Sequence, residues 1–303
     1  MKKPVALVLA SGAARGMAHI GVIEELERLN FQITSIAGCS FGAVVGGIYA
    51  AGHLPEFKEW LLKLDKMEVF RLMDLTFSTQ GFIKGNKVFN TIKPFITDIN
   101  IEELPIPFTA VAVDPRKHKE VVFEKGSLFD AIRASVSIPS VLEPYRINGM
   151  DLVDGGVLNP IPLDLVKRTE NDILVAVNIN ALIPHFKLVK HNFDDLVKEH
   201  NSALMKYEFN DLWNKIFPKE KKALDQFNAI RLLNHSYDMM QNKITDLYIE
   251  KYPPDVYVVI SKDVCSTFDF YKAAKIIQHG KEAFSNALAE YDKRMIEKYK
   301  VQA

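Results

Sequence analysis

The pentapeptide Gly38-Cys39-Ser40-Phe41-Gly42 constrains this chain more than any other feature. Before it, Ser35-Ile36-Ala37 reads as a short buried strand; after it, Phe41 to Ala51, rich in Ala, Val, Gly and Ile, reads as a helix. A serine joining the two must turn sharply in a sparsely populated backbone conformation. Glycines two residues to either side remove Cβ atoms that would collide there. The turn exposes Oγ and sets it at a helix N-terminus, where unpaired amides and the helix dipole favour developing negative charge. Strand, turn and helix in this order imply an α/β fold, and the exposed hydroxyl implies a serine acyl hydrolase. A chance match of five residues is the competing explanation, so support has to come from elsewhere in the chain.

A second constellation supplies it. Val5-Ala6-Leu7-Val8-Leu9-Ala10 is a continuous apolar run, as in a strand buried on both faces. Ser11-Gly12-Ala13-Ala14-Arg15-Gly16 follows, and a helix opens at about Met17 with Ile20, Ile23, Leu26 and Leu29 spaced to face a sheet. This loop offers the amides of Gly12, Ala13, Ala14, Arg15 and Gly16 for holding an oxyanion. A dinucleotide-binding loop fits less well, because Ser11 and Ala13 stand where that fingerprint needs glycine and no acidic residue about 20 positions on suits a ribose. A Walker loop is excluded by the missing Gly-Lys-Ser/Thr.

The third constellation is Asp151-Leu152-Val153-Asp154-Gly155-Gly156, running on to Pro160 and Pro162. A carboxylate at the end of a short strand, before two glycines, is aimed by backbone geometry. Asp154 is the candidate proton acceptor; taken without the first two motifs it reads more simply as a solvated hairpin aspartate.

Together these residues resemble the patatin-like phospholipase family. The likeness rests on the loop Ser11 to Gly16 with His19-Ile20-Gly21-Val22, on Gly38 to Gly42, on Ala131-Ile132-Arg133-Ala134-Ser135-Val136-Ser137-Ile138-Pro139, and on Asp154-Gly155-Gly156. It spans about 4–180 and resumes at 255–285. The resemblance implies a three-layer α/β/α fold with a mostly parallel central sheet. It also implies a Ser40–Asp154 dyad cleaving fatty acyl esters through an acyl-enzyme, as a phospholipase A or lipid acyl hydrolase does. Ala13 and Ala14 depart from the family's glycine-richer loop; an alanine can still donate its amide when its φ is negative, so the oxyanion role survives, with the amide that does the work left open. The rival is a Ser-Asp-His triad with His185, His191, His200, His235 or His279 as third member, but too few strands precede Ser40 and none of these histidines lies in a suitable loop. His19 reads as a structural tie between helix and loop, and His53 and His118 as surface residues.

With 48% hydrophobic and 25% charged residues over 303 positions, the chain can bury one large core. The expectation is a single domain, 1–303, with the motifs in a core at 4–180, a helical insertion at 186–250, and a returning strand and C-terminal helix at 255–299. Basic and acidic residues balance at 38 each, so no global field recruits nucleic acid or an acidic membrane. Cys39 and Cys265 form no disulfide framework, and cleavage of a signal peptide near Ala14 would destroy the first strand. The expectation is therefore a cytoplasmic protein, with peripheral membrane contact left open. The motifs call for no metal and no cofactor. Met205, Phe209, Leu212, Trp213, Ile216 and Phe217 form an apolar stripe at helical spacing over 205–217. It reads either as packing on the core or a second subunit, or as a lid or membrane-docking helix. Other function classes stay open: a soluble small-ester or thioester hydrolase with the same dyad, and a non-catalytic lipid- or partner-binding module.

Overall fold

The computed structural model describes residues 2–74, 81–96, 99–183 and 229–302. Strand β1 (Lys3–Leu9) leads through a 3-10 turn (Ala13–Met17) into α1 (Ala18–Arg28), and β2 (Phe31–Cys39) runs into α2 (Phe41–Ala50). Next come α3 (Leu54–Lys63), α4 (Lys66–Leu72), β3 (Gly81–Ile83), α5 (Asn86–Ile96), β4 (Phe108–Asp114), β5 (Lys119–Phe123) and α6 (Leu128–Ser135). The short strands β6 (Ser140–Leu142), β7 (Tyr145–Ile147) and β8 (Met150–Asp154) precede β9 (Ile173–Ala181). The chain closes with α7 (Ala229–Lys251), β10 (Val256–Ser261) and α8 (Ala273–Gln302).

The main sheet has the order β10-β9-β1-β2-β4-β8-β7, with β5 also on β4. Strands β10, β9, β1, β2 and β4 run parallel; β5 and β8 pair antiparallel with β4, and β7 pairs antiparallel with β8. The apolar run of β1 is explained by its central position. Val5, Leu7 and Leu9 enter one core with α1 and α8, while Ala6, Val8 and Ala10 enter a second with Ile161, Leu163 and the Tyr248 end of α7. Helices therefore cover both faces of the sheet, which is the α/β/α layering that a parallel sheet requires. Helices α1 and α8 cross closely enough that a Cβ on Gly280 would lie 1.9 Å from the Ala18 carbonyl oxygen, so only glycine permits the approach.

The structure adds local detail to the sequence expectation. After α3, Asp65 starts a further helix, α4, with a reciprocal capping box to Glu68. Within the segment expected to hold a returning strand and a helix, β10 is followed by a 3-10 turn at Phe270–Lys272 and the C-terminal helix begins at Ala273. A β7–β8 hairpin that periodicity did not reveal delivers Asp154. Contacts divide the chain into two compact units, 1–185 with 241–303, and 186–240. The 205–217 stripe lies outside the described residues, as do His185, His191 and His200. No helix among the described residues is long and apolar enough to cross a membrane.

Candidate active site

Strand register brings Ser40 and Asp154 together. On one edge of β4, Val111 pairs with Cys39 at the end of β2; the next residue, Ala112, pairs with Asp154 at the end of β8. Because β5 occupies the other edge from Ala110 to Asp114, β8 takes up the edge where β2 stops. Two strands separated by more than a hundred residues thus meet end to end, and their terminal residues face each other.

Ser40 has φ 54° and ψ −126°, a left-handed conformation that costs a non-glycine residue on the order of 1–3 kcal/mol. The surroundings enforce it. Cβ atoms at Gly42 would lie 2.3 Å from the Leu9 carbonyl oxygen, so α2 can begin this close to β1 only with glycine there. The Ser40 hydroxyl donates to Asp154 Oδ2 at 2.5 Å, the length of a charge-assisted O–H···O⁻ bond. Both residues are buried. Asp154 Oδ1 accepts from the Gly156 N–H at 2.7 Å and from the Cys39 thiol at 3.8 Å. Gln241 donates to the Gly156 carbonyl at 2.8 Å and braces the same turn. Burial raises the Asp154 pKa to about 6, against the opposing pull of these hydrogen bonds. Burial, and then the neighbouring Asp154 charge, push the Cys39 thiol well above its ordinary range and keep it protonated.

The loop after β1 lies beside this pair, since Leu9 and Gly38 are register partners in adjacent strands. Its five candidate amides are not equivalent. The Ala14 N–H is taken by the Thr267 carbonyl, the Arg15 N–H by the Gly12 carbonyl, and Gly16 lies within the 3-10 turn. Among the described residues the Gly12 and Ala13 amides have no protein acceptor, and neither does that of Phe41 at the first turn of α2. Ala13 stands at φ 48°, so the condition of a negative φ is not met there: the loop keeps its shape with a strained alanine where glycine is easier, and the Ala13 N–H is still left without a described protein acceptor. Arg15 Nε donates to Asn180 at 3.0 Å, and Asn180 donates to the Ser11 carbonyl at 2.6 Å, fastening the loop to β9.

Ser40 and Ala13 border a cavity of about 160 Å³ walled by α2 to α5, by the stretch from Val136 to Leu142 after α6, and by the segment before α8. Apart from the Ser40 and Thr267 hydroxyls, its lining is aliphatic or aromatic, with Phe41, Phe57, Trp60, Phe89 and Phe270 prominent and no charged side chain. Nothing in the motif reading indicated which residues enclose this space; the signal lay in the apolar faces of α3 and α5, here Phe57, Leu61, Phe89 and Ile92. Sequence reasoning also passed over Ser135, whose hydroxyl accepts the Ser40 N–H at 2.9 Å.

No histidine hydrogen-bonds Ser40 or Asp154 among the described residues. His235 is exposed on α7 and His279 is buried in α8. His19 ties α1 to the loop after β1 through a 2.9 Å bond between Nε2 and the Ala10 carbonyl, and burial lowers its pKa to about 4, so it is neutral. His118 is exposed in the β4–β5 turn, and His53 is half-buried at the start of α3. No cluster of three or more histidine, cysteine or acidic side chains suited to a metal occurs among the described residues.

The family model for patatin-like phospholipases matches residues 7–167. An uncharacterized NTE family protein of Mycobacterium tuberculosis (strain H37Rv) is 30% identical over 333 residues, covering 95% of this chain and 92% of that protein. Neuropathy target esterase sws of Drosophila melanogaster is 27% identical over 184 residues, which is 58% of this chain and 13% of the fly protein. Lysophospholipase NTE1 of Candida albicans is 31% identical over 182 residues, 59% of this chain and 13% of that one. Among solved structures, VipD from Legionella pneumophila aligns with a TM-score of 0.46 at 12% identity, over 96% of this chain and 67% of that chain. With a family match over more than half its length and a relative aligned nearly end to end, the chain belongs to the patatin-like phospholipase family.

Proposed function

We propose that this protein is a serine acyl hydrolase that cleaves fatty acyl esters of phospholipids or related lipids, with Ser40 as nucleophile and Asp154 as proton acceptor. The observation that carries the reading is the Ser40–Asp154 hydrogen bond at the border of an uncharged apolar cavity. Attack of Ser40 Oγ on the ester carbonyl forms the C–O bond while its proton passes to Asp154 Oδ2. The negative charge then resides on the former carbonyl oxygen, and the amides of Gly12 and Ala13, which no described protein group takes, are the loop donors offered to it. Collapse of this intermediate expels the lipid alcohol, which takes the proton from Asp154 and leaves the acyl group on Ser40. Water then attacks the acyl carbonyl, giving a proton to Asp154, which passes it to Ser40 Oγ as the C–O bond to the serine breaks and the fatty acid is released. A carboxyl with a pKa of about 6 suits both proton transfers near neutral pH better than an ordinary aspartate.

The apolar lining favours a fatty acyl chain over a short polar acid, because burying each methylene contributes about 0.8 kcal/mol. The names of the fly and yeast relatives, an esterase and a lysophospholipase, agree with an ester substrate that carries a lipid chain. A fluorophosphonate probe is expected to label wild type at Ser40, as mapped by mass spectrometry. Ser40→Ala is expected to lose labelling and at least ~1000-fold in hydrolysis of a long-chain ester. Full activity in a folded Ser40→Ala protein would refute the mechanism.

A further inference from the structure

Both members of the pair are held from one short stretch, Ser135-Val136-Ser137, at the end of α6. The wholly buried Ser135 hydroxyl accepts the Ser40 N–H at 2.9 Å, and two residues on the Ser137 carbonyl accepts the Asp154 N–H, also at 2.9 Å. The stretch is itself anchored. Ser137 Oγ lies 2.7 Å from Arg133 Nη1, which donates to it, and 2.9 Å from the Arg133 carbonyl, which accepts from it. The buried Arg133 guanidinium lies over the rings of Phe89 and Tyr145, at 4.6 and 5.2 Å, and donates to the Lys84 carbonyl at 3.0 Å.

Ser40 lies one residue past β2 and one before α2, so neither the sheet ladder nor the helix supplies an acceptor for its N–H. That amide is buried, and leaving it unpaired is costly. We propose that Ser135 is a positioning residue for the nucleophile: its hydroxyl oxygen, as acceptor, holds the strained Ser40 turn so that Oγ points at Asp154. This rests on Ser40 and Asp154 forming the catalytic pair. Ser135 acts through the Ser40 backbone, and the brace fixes the spacing between the two partners through only three residues of main chain. Val136, in the middle of it, lines the acyl cavity, so the wall of the cavity and the alignment of the pair share one support.

Threonine and valine at position 135 have the same shape and differ in the acceptor oxygen, so the two variants isolate the hydrogen bond. On a short soluble ester such as p-nitrophenyl butyrate, with active sites counted by fluorophosphonate titration, Ser135→Thr is expected to stay within ~3-fold of wild-type kcat. Ser135→Val is expected to lose at least ~10-fold in kcat per titrated site with KM within ~2-fold. The acid limb of kcat/KM should also move to higher pH in Ser135→Val, because the Ser40 hydrogen bond helps keep Asp154 ionised. The other groups facing Asp154, the Cys39 thiol and the Gly156 amide, are unchanged, as is Glu120 of β5, whose charge acts on Cys39. A purely structural role would lower the number of titrated sites and leave turnover per site and the pH limb in place. Equal kcat per site in the two variants overturns the proposal. If Ser135→Val does not fold, Ser135→Ala deletes the oxygen without adding volume, and wild-type kcat per site in that variant overturns it equally. Failure of wild type to label at Ser40 would instead refute the catalytic pair itself.

Discussion

Under the proposed mechanism, function and stability pull in opposite directions at Asp154. A carboxyl whose pKa rises from 3.8 to about 6 on folding stabilises the native state fully at low pH and loses that contribution as pH rises through 6. Ionised, it costs on the order of 3 kcal/mol. The same ionised form is the one that can accept a proton from Ser40. Hydrolysis is therefore expected to rise with pH through about 6. Asp154→Asn, which keeps the shape but has no site for the proton, should lose at least ~100-fold in kcat. It should nonetheless melt at a higher temperature than wild type near pH 8, a gain that disappears toward pH 4 when measured by thermal denaturation. An inactive variant less stable than wild type at both pH values would show that the carboxylate is not buried at a cost.

The elements divide the labour between alignment and capacity. Strands β2 and β8 meet on the edge of β4 and set the pair, while α3, α4 and α5 enclose the apolar space beside it. These roles are separable by mutation. Val88 of α5 is half-buried and lines the cavity without touching the pair, so Val88→Trp is expected to fill space and leave the chemistry intact. The measurement is a series of p-nitrophenyl esters of rising chain length. The ratio of kcat/KM for palmitate to that for butyrate should fall at least ~10-fold, with butyrate hydrolysis within ~3-fold of wild type. An unchanged ratio would mean that acyl chains bind elsewhere. Trp60, also in the lining, is expected to report occupancy by a change in its emission.

In the molecule as a whole, two buried titrating groups oppose each other. His19, lowered from 6.5 to about 4, contributes stability that is present above pH 6.5 and lost as pH falls through 4; Asp154 does the reverse over nearly the same window. Wild type should show little dependence on pH from these two groups between about 4 and 6.5. Asp154→Asn should gain on the order of 3 kcal/mol across that range, as His19 alone sets the slope. Urea unfolding of both proteins at several pH values checks this, and parallel profiles would contradict it. The strained serine turn, the loop after β1 and the aspartate turn were legible in the chain because each depends on local constraints: glycine where a Cβ would collide, and an apolar run where a strand is covered on both faces. Helix α2 was legible for the same reason, its small apolar residues following the serine turn directly. The capping box at Asp65, the β7–β8 hairpin and the left-handed Ala13 were not, since short polar segments carry little periodic signal and a backbone angle leaves no mark in residue type. What the residues by themselves determined was which groups are available for chemistry. Only the tertiary structure decided which of five loop amides stay free, that Ser135 receives the Ser40 N–H, and which helices wall the cavity. Those outcomes depend on strand register and helix packing between residues far apart in sequence, and no local pattern encodes such distances.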